Sequence, residues 1–214
     1  MTGETRGERV RGWLAARSFR QIVFAVGAVI LLLSGAFGGL SQTEPDDERA
    51  ALTVDEPHLS EPIRLTVKRV AWSDDLGEVL GPSEFGRYLL VIADVSTNQD
   101  RSVDSFVVRE TLRMQGLKGL AKSQLSKDPV RSEDADPQVI VTADRTRLSE
   151  IGPGLTYEVA FVWEQKKSEP LPDTIDLLTR SHQFRRSSLD DQENWFGSSD
   201  DAIGTFTVAK FGES

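Results

Sequence analysis

Apolar residues fall into two patterns along the chain. Residues 21–40, QIVFAVGAVILLLSGAFGGL, form one uncharged block. About 20 helical residues at ~1.5 Å rise span the ~30 Å core of a bilayer, so this block predicts a single transmembrane α-helix. From residue 62 the pattern changes to short runs of period two, as half-buried strands require. Ile63, Leu65 and Val67 alternate with polar residues, and the alternation then slips to Val70 and Trp72, which predicts a bulge. Residues 87–96, RYLLVIADVS, are rich in aliphatic and β-branched side chains and predict a central strand. Residues 102–108 and 110–117 predict two weaker strands, and 138–142 another. The cleanest alternation is Leu155, Tyr157, Val159, Phe161 and Trp163, directly after a Gly152-Pro153-Gly154 turn. Residues 174–180 and 202–209 predict closing strands.

Turn chemistry separates these runs, at Asp74-Asp75-Leu76-Gly77-Glu78, Gly81-Pro82-Ser83 and Asn98-Gln99-Asp100. Short strands, frequent turns and almost no helical periodicity predict a mainly β chain. The expected fold is an antiparallel β-sandwich with Trp72, Trp163 and the run at 88–95 in its core. Residues 118–137, KGLAKSQLSKDPVRSEDADP, form a polar insertion longer than the ~12–15 residues usual for a structureless loop. Residues 41–61 hold seven acids, one arginine and two prolines, a composition that predicts an extended, solvated linker. His58 lies within that linker and is expected to be solvated. The chain therefore divides into a basic tail (1–20), a transmembrane helix (21–40), an acidic linker (41–61) and a sandwich domain (62–214).

Charge orients this arrangement. Residues 1–20 carry five arginines against two glutamates, whereas beyond residue 40 there are 20 basic and 32 acidic residues. By the positive-inside rule the N-terminus is expected in the cytoplasm and the sandwich outside the cell membrane. The acidic distal part argues against nucleic acid as a partner, since phosphates need a basic face. The chain has no cysteine, which excludes disulfides, thiolate metal sites, cysteine nucleophiles and a lipidated cysteine anchor. Small residues at 34–39 offer a competing reading, a cleaved signal peptide, but Ala36-Phe37-Gly38 matches a processing site poorly. Gly35 and Gly39 form a small-xxx-small pair through which two such helices would pack as a homodimer.

Residues 88–98 (YLLVIADVSTN), the segment near Val103–Phe106, and Pro153-Gly154 followed by the strand from Tyr157 to Trp163 resemble a bacterial family. Its members are immunoglobulin-like extracellular domains of unknown function, carried on membrane-anchored proteins and lipoproteins of Gram-positive, including actinobacterial, species. The resemblance covers roughly residues 62–180 and implies an immunoglobulin-like sandwich outside the cell, with no catalytic residues. The insertion at 118–137 and the region after Arg180 depart from the family pattern.

No motif with the spacing of a known catalytic site is present. Ser181 and His182 with Asp190 or Asp191 supply the residue types of a hydrolase triad, but no glycine-flanked nucleophile accompanies them. The acid pairs Asp74-Asp75, Asp190-Asp191 and Asp200-Asp201, with Asp134 and Asp136, suit calcium or a two-carboxylate hydrolase chemically. None has the spacing of a calcium loop, and no cofactor, metal ligand or catalytic residue is expected. The segment 180–201 concentrates the residue types that anchor protein interfaces: Arg180, Arg185, Arg186, Trp195 and Phe196. A competing reading makes it a long connection with Trp195 and Phe196 tucked under the sandwich edge. The sequence thus predicts a non-catalytic binding or scaffolding role toward another envelope or membrane protein. An envelope hydrolase and a secreted ligand-binding protein are the alternatives.

Overall fold

The computed structural model describes residues 49–186, 191 and 193–212. The basic tail, the expected transmembrane helix with Gly35 and Gly39, residues 41–48 of the linker, and Asp190 lie outside the described residues. Among the described residues, no helix is long and apolar enough to cross a membrane.

Among the described residues, thirteen strands and one short α-helix make a mainly β domain built as a sandwich. One layer centres on β3 (Ile63–Ser73), β4 (Gly86–Thr97) and β11 (Thr156–Lys166), with β2 (Pro57–Ser60) beside β3. β9 (Gln138–Val141) and the short pair β7 (Leu120–Ala121) and β8 (Pro129–Val130) extend it beyond β11. The other layer holds β6 (Leu112–Gln115), β12 (Thr174–Arg186), β13 (Glu193–Lys210) and β1 (Ala50–Ala51). β5 (Val103–Asp104) and β10 (Glu150–Ile151) form a separate two-stranded ribbon. β13 joins the layers: it pairs with β12 up to Thr207, then Val208, Ala209 and Lys210 pair in parallel with Val70, Ala71 and Trp72 of β3. The expectation of a purely antiparallel sandwich is therefore corrected, since β1–β13 and β13–β3 are parallel. Strands far apart in the chain meet there, so no hairpin connection dictates their direction.

Alternation explains the core. Ile63, Leu65, Val67, Leu89, Val91, Ala93, Val159, Phe161 and Trp163 face Ile175, Leu177 and Phe206 across one buried cluster. The register of β3 on β4 shifts between Val67 and Arg69, the bulge expected where the apolar period slips. On the opposite face of β4 and β11, Tyr88, Leu90, Ile92, Ala160 and Val162 form a second cluster, covered by Leu76, Val79 and Leu80. Burial on both faces is why residues 88–95 read as one continuous apolar run.

Two expectations are revised. Residues 105–111 form α1 (Ser105–Thr111), not a strand, with Asp104 capping the Phe106 amide at 2.6 Å. Val107, Val108 and Thr111 supply a buried helical stripe that also passes for strand alternation over so short a span. The domain starts near residue 49 rather than 62. Leu52 is buried in the core, β1 lies on β13, and β2 pairs with β3, so only the earlier, more acidic half of the expected linker lies outside the domain. The insertion at 118–137 is ordered by Leu120 and Ala135, both fully buried, and by Trp163 Nε1 donating to Ala135 O at 3.3 Å.

Candidate functional site

All five residues singled out between 180 and 201 sit on one β-ribbon. β12 and β13 pair from Thr174↔Thr207 to Arg186↔Glu193, so the segment read as a long connection is a bulged hairpin, although Trp195 does pack against the core as that competing reading expects. The hydrophobic content of 181–200 is too sparse to mark strands, and the ladder is carried by backbone hydrogen bonds. β6 covers β12 only at Asp176 to Thr179, and β1 covers β13 only at Ala202 and Ile203. Beyond those points the ribbon from residue 180 to 200 has no third strand pairing with it among the described residues. Register shifts near Leu178/Arg180 and His182/Gln183 add twist where it leaves the sandwich.

The aromatic residues order the ribbon's outer half. Trp195 packs on Phe184 with ring centroids 5.1 Å apart, and the Arg101 guanidinium lies 4.5 Å from the Phe184 ring centroid. Arg185 lies 5.4 Å from the Phe196 centroid. These three contacts, one aromatic pair and two cation–π arrangements, hold the side chains in place, with Trp195 also packed against the core. Phe184 is 37% exposed. Arg180 is tied to Asp200 at 3.3 Å, and Arg186 to Asp191 at 3.5 Å. The structure thus brings Arg185 with Phe196 and Arg186 near the tip, and places Arg180 at the base. Phe184 and Arg101 are members that sequence reading missed. Phe184 lies in the same HQFRR run; Arg101 comes from a distant turn and carries no sequence signal.

At the base of the ribbon lies a polar cluster with hydrolase residue types. His58 Nε2 donates to Asp201 Oδ2 at 2.9 Å, and Ser60 Oγ donates to the same oxygen at 2.8 Å. His58 is thus bonded within the domain, correcting its expected place in a solvated linker. A nucleophilic serine must give its proton to an imidazole, with the carboxylate behind the ring. Here the serine and the imidazole both bind the carboxylate, so no base faces the hydroxyl. Burial by itself would raise the Asp201 carboxyl, but hydrogen bonds from His58, Ser60 and Ser181 outweigh it and hold the group below the usual range.

Ser181 and His182 do not assemble a triad with Asp191, which pairs with Arg186 instead. His182 is buried, its Nδ1 has no hydrogen-bond partner, and its amide donates to Glu61 O at 2.6 Å. Burial lowers its pKa below the ordinary histidine value; Glu110 opposes that, while Arg113 and Arg180 add to it. The acid pairs do not converge either. Asp75 caps the Gly77 amide at 2.7 Å, Asp200 holds Arg180, and Asp201 holds His58. Among the described residues no group of three or more His, Asp or Glu side chains is placed to hold a metal ion.

No protein-family model matches the sequence, and no curated protein matches it. Among solved structures, the chain is similar to an uncharacterized β-sandwich protein from Clostridium difficile 630. The match has 15% identity and a TM-score of 0.48, and covers 78% of this chain and 99% of the other.

Proposed function

We propose that the protein is a membrane-tethered binding module of the cell envelope. An immunoglobulin-like sandwich is held outside the cytoplasm by residues 21–40, and it docks a protein partner through the β12–β13 ribbon. The role is non-catalytic. The observation that carries this reading is the ribbon itself: between residues 180 and 200 no third strand pairs with it among the described residues, and it presents Phe184, Phe196 and Arg185, beside a Trp195 partly buried against the core, on an otherwise acidic domain. A two-stranded ribbon is marginal in water by itself, and an added strand or a packed partner face would complete it. Aromatic and arginine side chains are the usual energetic anchors of such contacts.

Two measurements test the reading. Tags at both ends, followed in the membrane fraction, read the anchor; loss of the N-terminal tag from the mature protein would replace it with a secreted form. Crosslinking in native membranes, with mass spectrometry, reads the partner. The protein captured by the wild type should be lost from Arg185→Ala/Phe196→Ala, while the melting temperature stays within a few degrees. Equal capture by that variant would remove the ribbon as the docking element.

A further inference from the structure

The insertion at 118–137 encloses, with α1 and the segment before β10, a cleft of about 370 Å³. Ser105 and Arg109 of α1, Gln124 of the insertion, Asp136, Gln138 and Arg147 all line it. Side chains from three stretches of chain therefore share one concavity, and none belongs to the ribbon. Its volume falls in the ~300–1,000 Å³ range of small-molecule sites.

The charges in and behind this cleft are unevenly matched. Arg113, 3% exposed, is held by Glu110 and by Asp136, whose Oδ1 lies 3.4 Å from Nη2. One buried cation therefore serves two carboxylates. Arg109 and Arg147 have no carboxylate partner among the described residues. Arg109 lies 5.5 Å from the Phe106 ring centroid, and Arg147 donates to Gln124 Oε1. The lining carries Arg109, Arg147 and Asp136, one net positive charge, in a domain where residues from 49 onward number 20 basic and 28 acidic. Two guanidinium groups left without an anion in an acidic domain form an anion-selective feature.

We propose that this cleft binds a small organic monoanion through its carboxylate. A guanidinium presents a planar fork that matches a carboxylate edge, and Arg109 and Arg147 supply two. Ser105, Gln124 and Gln138 offer neutral donors and acceptors for the rest of the ligand. Asp136 on the same wall opposes a second negative charge, which favours a monocarboxylate over a phosphate dianion. A free acid and an acidic side chain of a peptide share this chemistry.

Calorimetric titration of the full chain in detergent tests the site. The probes are lactate and N-acetylglycine, their neutral amides, inorganic phosphate, and an acetylated, amidated tripeptide with a central glutamate. At least one carboxylate should bind while its amide does not, and a response confined to the tripeptide would assign the carboxylate to a peptide. Arg147→Gln and Arg109→Gln should each weaken binding about tenfold or more, as for loss of a charge-assisted hydrogen bond. Arg64→Gln, an exposed arginine outside the cleft, should leave affinity unchanged. Arg147 is exposed, so its variant keeps the test alive should Arg109→Gln fail to fold. No heat from any carboxylate, equal affinity in the Arg147 variant, or tighter binding of phosphate would each overturn the assignment.

Discussion

His58 Nε2 lies 2.9 Å from Asp201 Oδ2, a contact between residues 143 positions apart that ties β2 to β13. Ser60, fully buried, gives its hydroxyl to the same carboxylate oxygen. Asp201→Ala strands that buried hydroxyl and frees the β2 edge, so it should cost about 1–3 kcal/mol in urea unfolding at neutral pH. The pH dependence has a defined sign. Because the Asp201 carboxyl is held below its ordinary value of 3.8, its contribution is complete above that value and is lost as the pH falls below it toward the lower folded value. The gap between wild type and Asp201→Asn should therefore narrow on acidification below about pH 3.8. A gap that stays constant to pH 2.5 would rule out an ionised Asp201 as the source.

His182 should give the domain a separate acid limb at milder pH. Burial depresses its pKa, so below the ordinary value of 6.5 the unfolded chain takes up a proton that the folded state resists. Stability is then full above 6.5 and declines as the pH falls toward the lower folded value. His182→Leu removes the titrating group together with a buried, unpartnered Nδ1. Its melting temperature should be flat between pH 6.5 and 5, where that of the wild type drops. Parallel curves for the two proteins would refute the assignment.

These two clusters also mark where sequence reading stops. Strands with a long apolar run or alternation were legible: β4, β11 and the bulge in β3 all lie where the pattern puts them. Elements held by one or two buried residues were not. Near β1 the core receives one side chain, Leu52, and from the insertion it receives Leu120 and Ala135, so neither has a period to detect. α1 has seven residues, too few to separate a 3.6 period from a period of two when valines carry it. The ribbon's aromatic and arginine residues were visible as types, but their neighbours Phe184 and Arg101 meet through tertiary geometry. The cleft was invisible for the same reason: Arg109 and Arg147 become neighbours of one cavity only after the insertion folds.

Arg113 is the most heavily partnered buried charge. Its guanidinium binds Glu110 and Asp136, and Nη1 donates to Arg109 O at 3.0 Å. Removing the guanidinium leaves Glu110 and Asp136 without it, but both carboxylates keep water (23% and 42% exposed), so the cost is that of lost charge-assisted hydrogen bonds, about 1.5–3 kcal/mol. Arg113→Ala should fall in that range. Arg113→Ala combined with Glu110→Gln and Asp136→Asn should recover part of the loss, because no carboxylate is then left facing an empty position. A triple variant no more stable than the single one would show that packing, not charge, sets the cost.

Trp163 fastens the insertion to the sandwich. The indole is 1% exposed, stacks 6.2 Å from Phe161, and gives its N–H to Ala135 O. Trp163→Phe keeps most of the packing and loses the hydrogen bond and part of the ring, for about 1–3 kcal/mol; Trp163→Ala should cost ~3–5 kcal/mol. The conservative variant isolates the tie to the insertion. Trypsin should cut it faster than wild type after Lys122 or Lys127 under native conditions, with the β4–β11 ladder still protected. Unchanged cleavage of Trp163→Phe would mean that Leu120 and Ala135 hold the insertion unaided.

Gly204 makes the close approach that brings β1 onto the sandwich. A Cβ there would stand 1.9 Å from Leu52 O and 3.0 Å from the Phe206 ring. Neither neighbour can retreat cheaply. The Leu52 amide is bonded to Ile203 O at 2.9 Å, and its side chain is 3% exposed within the core. Gly204→Ala should therefore displace residues 50–52 from β13 rather than distort the β12–β13 ladder, whose hydrogen bonds are far more numerous. Exposing a buried leucine costs roughly 1.5–3 kcal/mol, with a cavity term added if the site does not collapse. Hydrogen exchange should show the Leu52 amide losing its protection while Leu177 and Phe206 keep theirs. Leu52→Ala should lower the melting temperature by a similar amount, and combining the two substitutions should add little, because both act by removing the same side chain from the core. Full additivity would place the cost of Gly204→Ala elsewhere, in the ladder itself.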